Sequence, residues 1–183
     1  MNSTIFGKFP TLETSRLHLQ QLSFQDTNKV FEFNSDPMAL KYVAREPFTK
    51  IEQAEEKVKD FINAYTDKKG IWWSFKMKDT NAFIGYGGIF NINQSDQNAE
   101  IGYGLLQPFW RQGYISEIVK ELVTFAFNQV RLHRLYAIVL PGNEASVKVL
   151  NNNGFKLEGT LKDNAFARKQ YFDNLVFGLI NDD

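Results

Sequence analysis

Residues 107–117, Gln-Pro-Phe-Trp-Arg-Gln-Gly-Tyr-Ile-Ser-Glu, join two runs of different period. The run before them, AEIGYGLL, alternates like a strand; the run after them, IVKELVTFAFNQV, repeats like a helix. At such a joint the first backbone N–H groups of the helix have no partner inside it. They point along the positive end of the helix dipole, so the joint can hold an anion, above all a phosphate. Gly113 lets a ligand approach the backbone closely. It equally reads as a turn residue without chemistry. Neither Gly-x-x-x-x-Gly-Lys-Ser/Thr nor Gly-x-Gly-x-x-Gly occurs, so an ordinary nucleoside-triphosphate or dinucleotide site is not expected. Cysteine is absent, which removes disulfides, thiolate metal ligands and a cysteine nucleophile. His18 and His133 are not at ligand spacing and no carboxylate cluster accompanies them, so no metal site is expected. Trp72, Trp73 and Trp110 read as core or cleft wall, and the charged run 52–59 as the solvated face of a helix.

The elements that must position the joint can be read from period and punctuation. Residues 16–22 alternate as a half-buried strand. Residues 26–34 form a short helix candidate that stops near Asp36-Pro37. Thr49-Lys-Ile-Glu52 has the form of a capping box, followed by Ile51, Ala54, Val58, Phe61, Ile62 and Tyr65 at helical spacing, with Gly70 closing the segment. Residues 71–78 and 82–90 read as strands around a turn at 79–81, residues 91–98 as a polar loop, and 99–106 as a third strand of a meander. The helix after the joint shows Ile115, Val119, Leu122, Val123, Ala126 and Val130 on one face. Residues 134–140 read as a buried strand. Residues 143–153 read as a short helix, with Asn143 as N-cap and Gly154 as a left-handed residue past its end. Residues 155–161 and 169–180 close the chain as strands. The class is mixed α/β, with a parallel strand pair and right-handed crossover within 99–140.

Bulk properties bound the function. The 183 residues suit one domain, 1–183, with a full-sized core. Hydrophobic residues make up 43% and charged ones 23%, as in a folded globular chain. Lys+Arg and Asp+Glu are 21 each, so no net charge favours a nucleic-acid partner. No run approaches a membrane span or a signal peptide, and a cytoplasmic location without membrane contact is expected.

The stretch AEIGYGLLQPFWRQGYISEIVKELVTFAF resembles the acetyl-CoA-binding motif of the GNAT acetyltransferases, in particular the branch of RimJ/RimL ribosomal-protein N-terminal acetyltransferases. LETSRLHLQQLSFQD resembles the opening strand of that branch, SDPMALKYV its following short helix, and AIVLPGNEASVKVLNNNGFKLEGTLKD its N-x-x-S and Gly-Phe segment. The likeness spans nearly the whole chain, with the pieces in family order. It implies a seven-stranded twisted mixed sheet, flanked by helices and splayed open after the fourth strand, with acetyl-CoA in the opening and no metal. By motif match, the backbone amides of Arg111, Gln112, Gly113, Tyr114, Ile115 and Ser116 face the pyrophosphate. Two residues depart from the pattern: Arg111 stands where many relatives have glycine, and Ile115 where a small residue is usual. Arg111 could add a charge-assisted contact to phosphate, or be a solvated side chain. Ile115 could narrow the path of the pantetheine arm.

The resemblance implies direct transfer of acetyl from thioester to amine, with three tasks: deprotonate the amine, stabilise the oxyanion, and receive the leaving thiolate. An α-amine has a pKa near ~8 and a lysine amine near ~10.4, so the lysine amine costs roughly 3 kcal/mol more to neutralise at pH 7. A carboxylate acting through water can serve the first. Glu100 occupies the position of the branch's carboxylate base; it otherwise reads as a surface residue at a strand start. Residues 143–155 lack the tyrosine that many acetyltransferases use at the thiolate. The resemblance therefore assigns Ser146 that hydrogen bond and Asn143 a polar contact to the pantetheine arm. The acceptor could be a protein N-terminus, a polyamine, an aminoglycoside or another small amine, and homodimers are common in this fold. The alternative reading is a protein of the same fold that binds acyl-CoA without catalysis.

Overall fold

The computed structural model describes residues 3–181 of the chain. Strands β1 (Leu12–Glu13) and β2 (Leu17–Gln21) precede helices α1 (Thr27–Ser35) and α2 (Glu52–Thr66). The meander β3 (Gly70–Met77), β4 (Phe83–Asn93) and β5 (Asn98–Leu105) leads into α3 (Tyr114–Phe125). Then come β6 (Arg134–Val139), α4 (Glu144–Asn152), β7 (Lys156–Ala167) and β8 (Gln170–Ile180). All strands join one mixed sheet in the order β1-β2-β3-β4-β5-β6-β8-β7. Its eight strands correct the expected seven. The extra one is β1, whose two residues pair as Leu12↔Leu19 and Glu13↔His18. Two residues are too few for alternation to reveal.

Alternation along the strands sends side chains to two cores. On one face, Trp73, Phe75, Ile89, Ile101 and Leu135 pack with Ile118, Leu122 and Phe125 of α3 and Leu150 of α4. Phe125 stands edge-on to Trp73, with ring centroids 5.4 Å apart. On the other face, Val30 and Phe33 of α1 and Ala54, Val58 and Phe61 of α2 cover Phe83 and Tyr86. Each such buried aromatic or aliphatic side chain contributes roughly 1.5–3 kcal/mol.

Several boundaries differ from the sequence reading. The capping box expected at Thr49–Glu52 does not form: α2 starts after Ile51 without a side-chain cap, and Gln53 Oε1 instead reaches back to accept the N–H groups of Thr49 (2.8 Å) and Lys50 (3.0 Å). Residues 91–93 belong to β4 rather than to a loop. The β4–β5 register shifts between Phe90 and Asn93, and Asn91 is left-handed with φ 52°. The segment expected as the end of the long helix, Ala126–Val130, is a π-helical turn that stops at left-handed Arg131.

The decisive feature for function lies between β5 and β6. They run parallel, but pair only at Asn98↔Arg134, Ala99↔Leu135 and Glu100↔Tyr136. Beyond Glu100, β5 stays with β4 as far as Leu105, while β6 stays with β8 as far as Val139. The sheet opens as a V. Close contact with β4 holds β5 to its side: a Cβ on Gly87 would stand 2.6 Å from the Gly102 carbonyl oxygen.

Candidate active site

The joint after β5 is built from short local bonds. Residues Gln107–Phe109 form a 3₁₀ turn; Trp110 Nε1 donates to the Leu105 carbonyl (2.7 Å) and Gln112 Nε2 to that of Pro108 (2.8 Å). Arg111 has φ 59° and Gly113 has φ 81°, both left-handed. Alternating handedness turns successive N–H groups toward one side, which makes a concave anion cradle. Among the described residues, the N–H groups of Arg111, Gln112, Gly113, Tyr114 and Ile115 have no partner. Ser116 differs, because its N–H bonds the Gly113 carbonyl at 3.1 Å. The left-handed φ at 111 explains why glycine is usual there, and Arg111 keeps the same backbone with its side chain exposed. Ile115 packs against the core on the α3 face. At the lip, the Arg16 guanidinium lies 4.0 Å over the Tyr114 ring and 3.0 Å from Glu117 Oε1, and Ser15 Oγ holds the other Glu117 oxygen at 2.6 Å.

Residues of β5 line both faces of the V. Tyr103 shares its phase with Ile101 and Leu105 and packs on the α3/α4 side. Its hydroxyl is 3.1 Å from Ser146 Oγ, in the first turn of α4. Burial pushes the Tyr103 pKa up to about 12, against the lowering effect of the Ser146 bond, so the hydroxyl keeps its proton at neutral pH. Asn143 caps α4: its Oδ1 accepts the Ser146 N–H at 3.2 Å, which leaves its Nδ2 protons for another acceptor. Gly154 is left-handed past the helix end, with φ 88°.

Glu100 has the opposite phase and faces the α1/α2 side at the closed end of the V. Asn91 Nδ2 donates to its Oε2 at 3.0 Å. Burial raises the Glu100 pKa, with the Asn91 bond working the other way. Tyr136, its partner across the strand pair, is raised by burial and by Glu100. Glu100 and Tyr103 are three residues apart, about 10 Å along the strand. A carboxylate with raised pKa and a protonated hydroxyl pair thus flank the opening on opposite faces.

The wall on the Glu100 side is aromatic. Trp72 stacks between Phe61 (4.1 Å) and Phe90 (4.7 Å). Trp73 is wholly buried, and Trp110 is part of the joint. The 36–51 segment lies over the end of β6, where a Cβ on Gly142 would be 3.6 Å from Tyr42 Cε1. Beside it, a recess of about 410 Å³ is lined by Tyr42, Leu140, Pro141, Tyr171 and Asp173, among others.

The sequence reading named the joint, Glu100, Asn143 and Ser146, and the structure places all four around the V. It missed Tyr103, although the alternation of 99, 101, 103 and 105 carries the signal. It missed Asn91, whose role depends on a bulge. It also placed Lys57 on a solvated face, whereas Lys57 is half-buried with its Nζ 4.8 Å over the Phe61 ring. Among the described residues no cluster of His, Asp or Glu could hold a metal, and no helix is long and apolar enough to cross a membrane.

The comparisons agree with this geometry. The family model described as "Acetyltransferase (GNAT) domain" matches residues 16–156. The "Uncharacterized N-acetyltransferase YoaA" of Bacillus subtilis is 34% identical over 94% of this chain and 97% of its own length. Among solved structures, RimL, a ribosomal L7/L12 α-N-protein acetyltransferase in complex with coenzyme A, superposes with a TM-score of 0.85 at 21% identity, over 94% of this chain and 99% of that one. The spermidine N-acetyltransferase of Vibrio cholerae, in complex with CoA and spermine, gives 0.81 at 20% identity, over 91% and 96%. The cradle of unpartnered amides suits the pyrophosphate of the donor these enzymes share, and the chain belongs to the GNAT family as an N-acetyltransferase that uses acetyl-CoA.

Proposed function

We propose that the enzyme acetylates an α-amine or a comparably weak amine base, of a peptide N-terminus or a small molecule, in the manner of the RimJ/RimL branch. The observation that carries this reading is the parting of β5 and β6 immediately after Glu100. It leaves the edge of β5 from Ile101 to Leu105 unpaired on the β6 side, so an extended pantetheine arm can bond that edge as an added strand would. The amides of residues 111–115 hold the pyrophosphate, and Asn143 Nδ2 reaches the arm.

Glu100, through water, takes the proton that the amine nitrogen loses as it bonds the acetyl carbon. A backbone N–H on the open edge of β5 stabilises the oxyanion. Ser146, backed by the Tyr103 hydroxyl, gives its proton to the sulfur as the C–S bond breaks and is reprotonated from Tyr103; Tyr103 then regains a proton from solvent while Glu100 releases the amine's proton to solvent, which closes the cycle. The products are the N-acetyl amide and free CoA thiol. A half-buried carboxylate suffices because an α-amine needs only a modest base.

Calorimetric titration with acetyl-CoA, CoA and desulfo-CoA tests the donor site, and CoA release with a panel of amines tests the reaction. Micromolar binding and turnover of an α-amine are expected. Absence of acetyl-CoA binding would overturn the assignment of the cradle, and turnover confined to lysine side chains would overturn the assigned acceptor class.

A further inference from the structure

Two cations that no ion pair holds, Arg45 and Lys57, lie on the α1/α2 side of the sheet, the side that Glu100 faces. Among the described residues, Arg45 and Lys57 make no ion pair, and the Arg45 Nε is buried without a hydrogen-bond partner. Arg45 lies with its Cζ 5.3 Å over the Phe48 ring, and Lys57 with its Nζ 4.8 Å over Phe61, whose ring stacks on Trp72. Of the other half-buried cations, Lys76 pairs with Asp26 at 3.0 Å and Arg134 with Glu158, whereas Arg168, its Nε also buried without a partner, lies over the Phe172 ring with Nη1 3.5 Å from the Leu40 carbonyl. The groups that act electrostatically on the pair are Tyr86, buried and bonded to Asn34, and Asp60, one turn along α2. Burial, aided by repulsion from Arg45, pulls the Lys57 pKa down to about 8; Asp60 opposes this. Two desolvated cations that repel each other are costly unless an anion joins them.

Three carboxylates of the flanking segments are engaged. Asp173 accepts from Lys162 (2.7 Å) and from the Asp163 N–H (3.0 Å), and Asp36 from Gln107 (2.6 Å). Glu46 accepts the N–H of Arg168, which ties the 36–51 segment to the β7–β8 hairpin. Among the described residues, Asp60, which has no hydrogen bond or ion pair, and Glu100 are the carboxylates left here for a polycation.

We propose that this face of the cleft takes an acceptor amine that also carries an anionic group, a carboxylate or a phosphate, held by Arg45 and Lys57 against the aromatic wall of Phe61 and Trp72. The proposal rests on the acetyltransferase reading and names the acceptor class for that site. The amine end faces Glu100 and the anionic end the two cations.

The test is CoA release from acetyl-CoA with matched acceptors: Ala-Glu-amide against Ala-Gln-amide, an amino acid against its amide, phosphoethanolamine against ethanolamine, and spermidine. The expected result is kcat/KM at least about tenfold higher for the anionic member of a pair, as a charge-assisted bond gives. Arg45→Gln and Lys57→Met are each expected to bring that ratio toward one. Each variant removes an unpaired cation, and its melting temperature reports whether it folds. The responding pair tells a carboxylate from a phosphate. Equal rates within every pair, preference for spermidine, or a ratio that survives both substitutions would overturn the proposal while leaving the acetyltransferase reading intact. Absence of CoA release from every amine would overturn that reading and this proposal with it.

Discussion

The Tyr103 hydroxyl and Ser146 Oγ stand 3.1 Å apart across the opening between β5 and α4. Neither side chain alone would be a strong proton source. In the proposed mechanism they act as a two-step path in which Ser146 meets the sulfur and Tyr103, its pKa pushed up to about 12 by burial, refills the serine. Ser146→Ala is expected to lower kcat by about 10²-fold, in the range of general-acid catalysis. Tyr103→Phe is expected to lower it less. If the two act as one path, the double variant will be little slower than Ser146→Ala, because effects within a unit do not add. Steady-state kinetics with the KM for acetyl-CoA checks this; additive losses would separate the residues.

Glu100 has opposite consequences for activity and stability. Its raised pKa means that the folded protein binds more protons than the unfolded one between the ordinary carboxylate value and the raised one. Stability therefore falls as pH rises through that window, and the ionised Glu100 remains a cost at neutral pH. As the proposed base, Glu100 acts in its ionised form, so kcat/KM should rise with pH through the raised pKa. Glu100→Gln is expected to remove that acid limb, lower kcat about 10²-fold or more, and leave the melting temperature at pH 7 unchanged or higher. A stable variant with an unaltered pH–rate profile would remove Glu100 from the base role.

Much of this arrangement is legible in the sequence because it follows from period and local chemistry. Alternation gives the central strands, the change of period at 107–117 gives the joint, and Asn143 announces its own cap. What escapes is set by contacts between distant segments. Tyr103 and Ser146 are 43 residues apart, and only the fold brings their hydroxyls together. Asn91 reads as loop because its neighbours are polar, yet the bulge at Phe90/Asn93 aims it at Glu100. Lys57 lies three residues from Ala54 and four from Phe61, at the edge of the apolar face, where charge alone misplaces it. Residue 111 needs a left-handed backbone, which its arginine conceals.

Gly113 and Arg111 separate backbone strain from ligand approach. Both are left-handed, and among the described residues, the chain neighbours aside, a Cβ on Gly113 would meet Arg16 Nη2 at 3.5 Å and nothing closer. Space is thus available at 113, and the cost of a side chain is conformational, roughly 1–2 kcal/mol. Gly113→Val adds a branched group at the mouth of the cradle and is expected to raise the Kd for acetyl-CoA at least about tenfold. Arg111→Gly relieves one left-handed side chain at some cost in unfolded-state entropy, so stability should change by less than about 1 kcal/mol. Its Kd should stay within about threefold if the backbone amides, not the guanidinium, hold the phosphates. A large loss of affinity in Arg111→Gly would show a direct Arg111–phosphate contact instead.

Lys57 makes a prediction in the alkaline range. Its pKa falls from the ordinary lysine value to about 8 on folding. Between those values the unfolded chain binds more protons than the folded one, so stability should rise with pH across that window. Below about pH 8 both states are protonated and the full cost of the desolvated ammonium is present. Lys57→Met should therefore melt higher than the parent at pH 7, and the gap should close as pH approaches the ordinary lysine value. An anionic acceptor analogue, by pairing with the ammonium, should narrow the same gap at pH 7 without any change of pH. Thermal denaturation of both proteins at pH 7 and pH 10 measures this directly. A constant gap would mean that Lys57 is solvated and that its place over Phe61 carries no electrostatic cost.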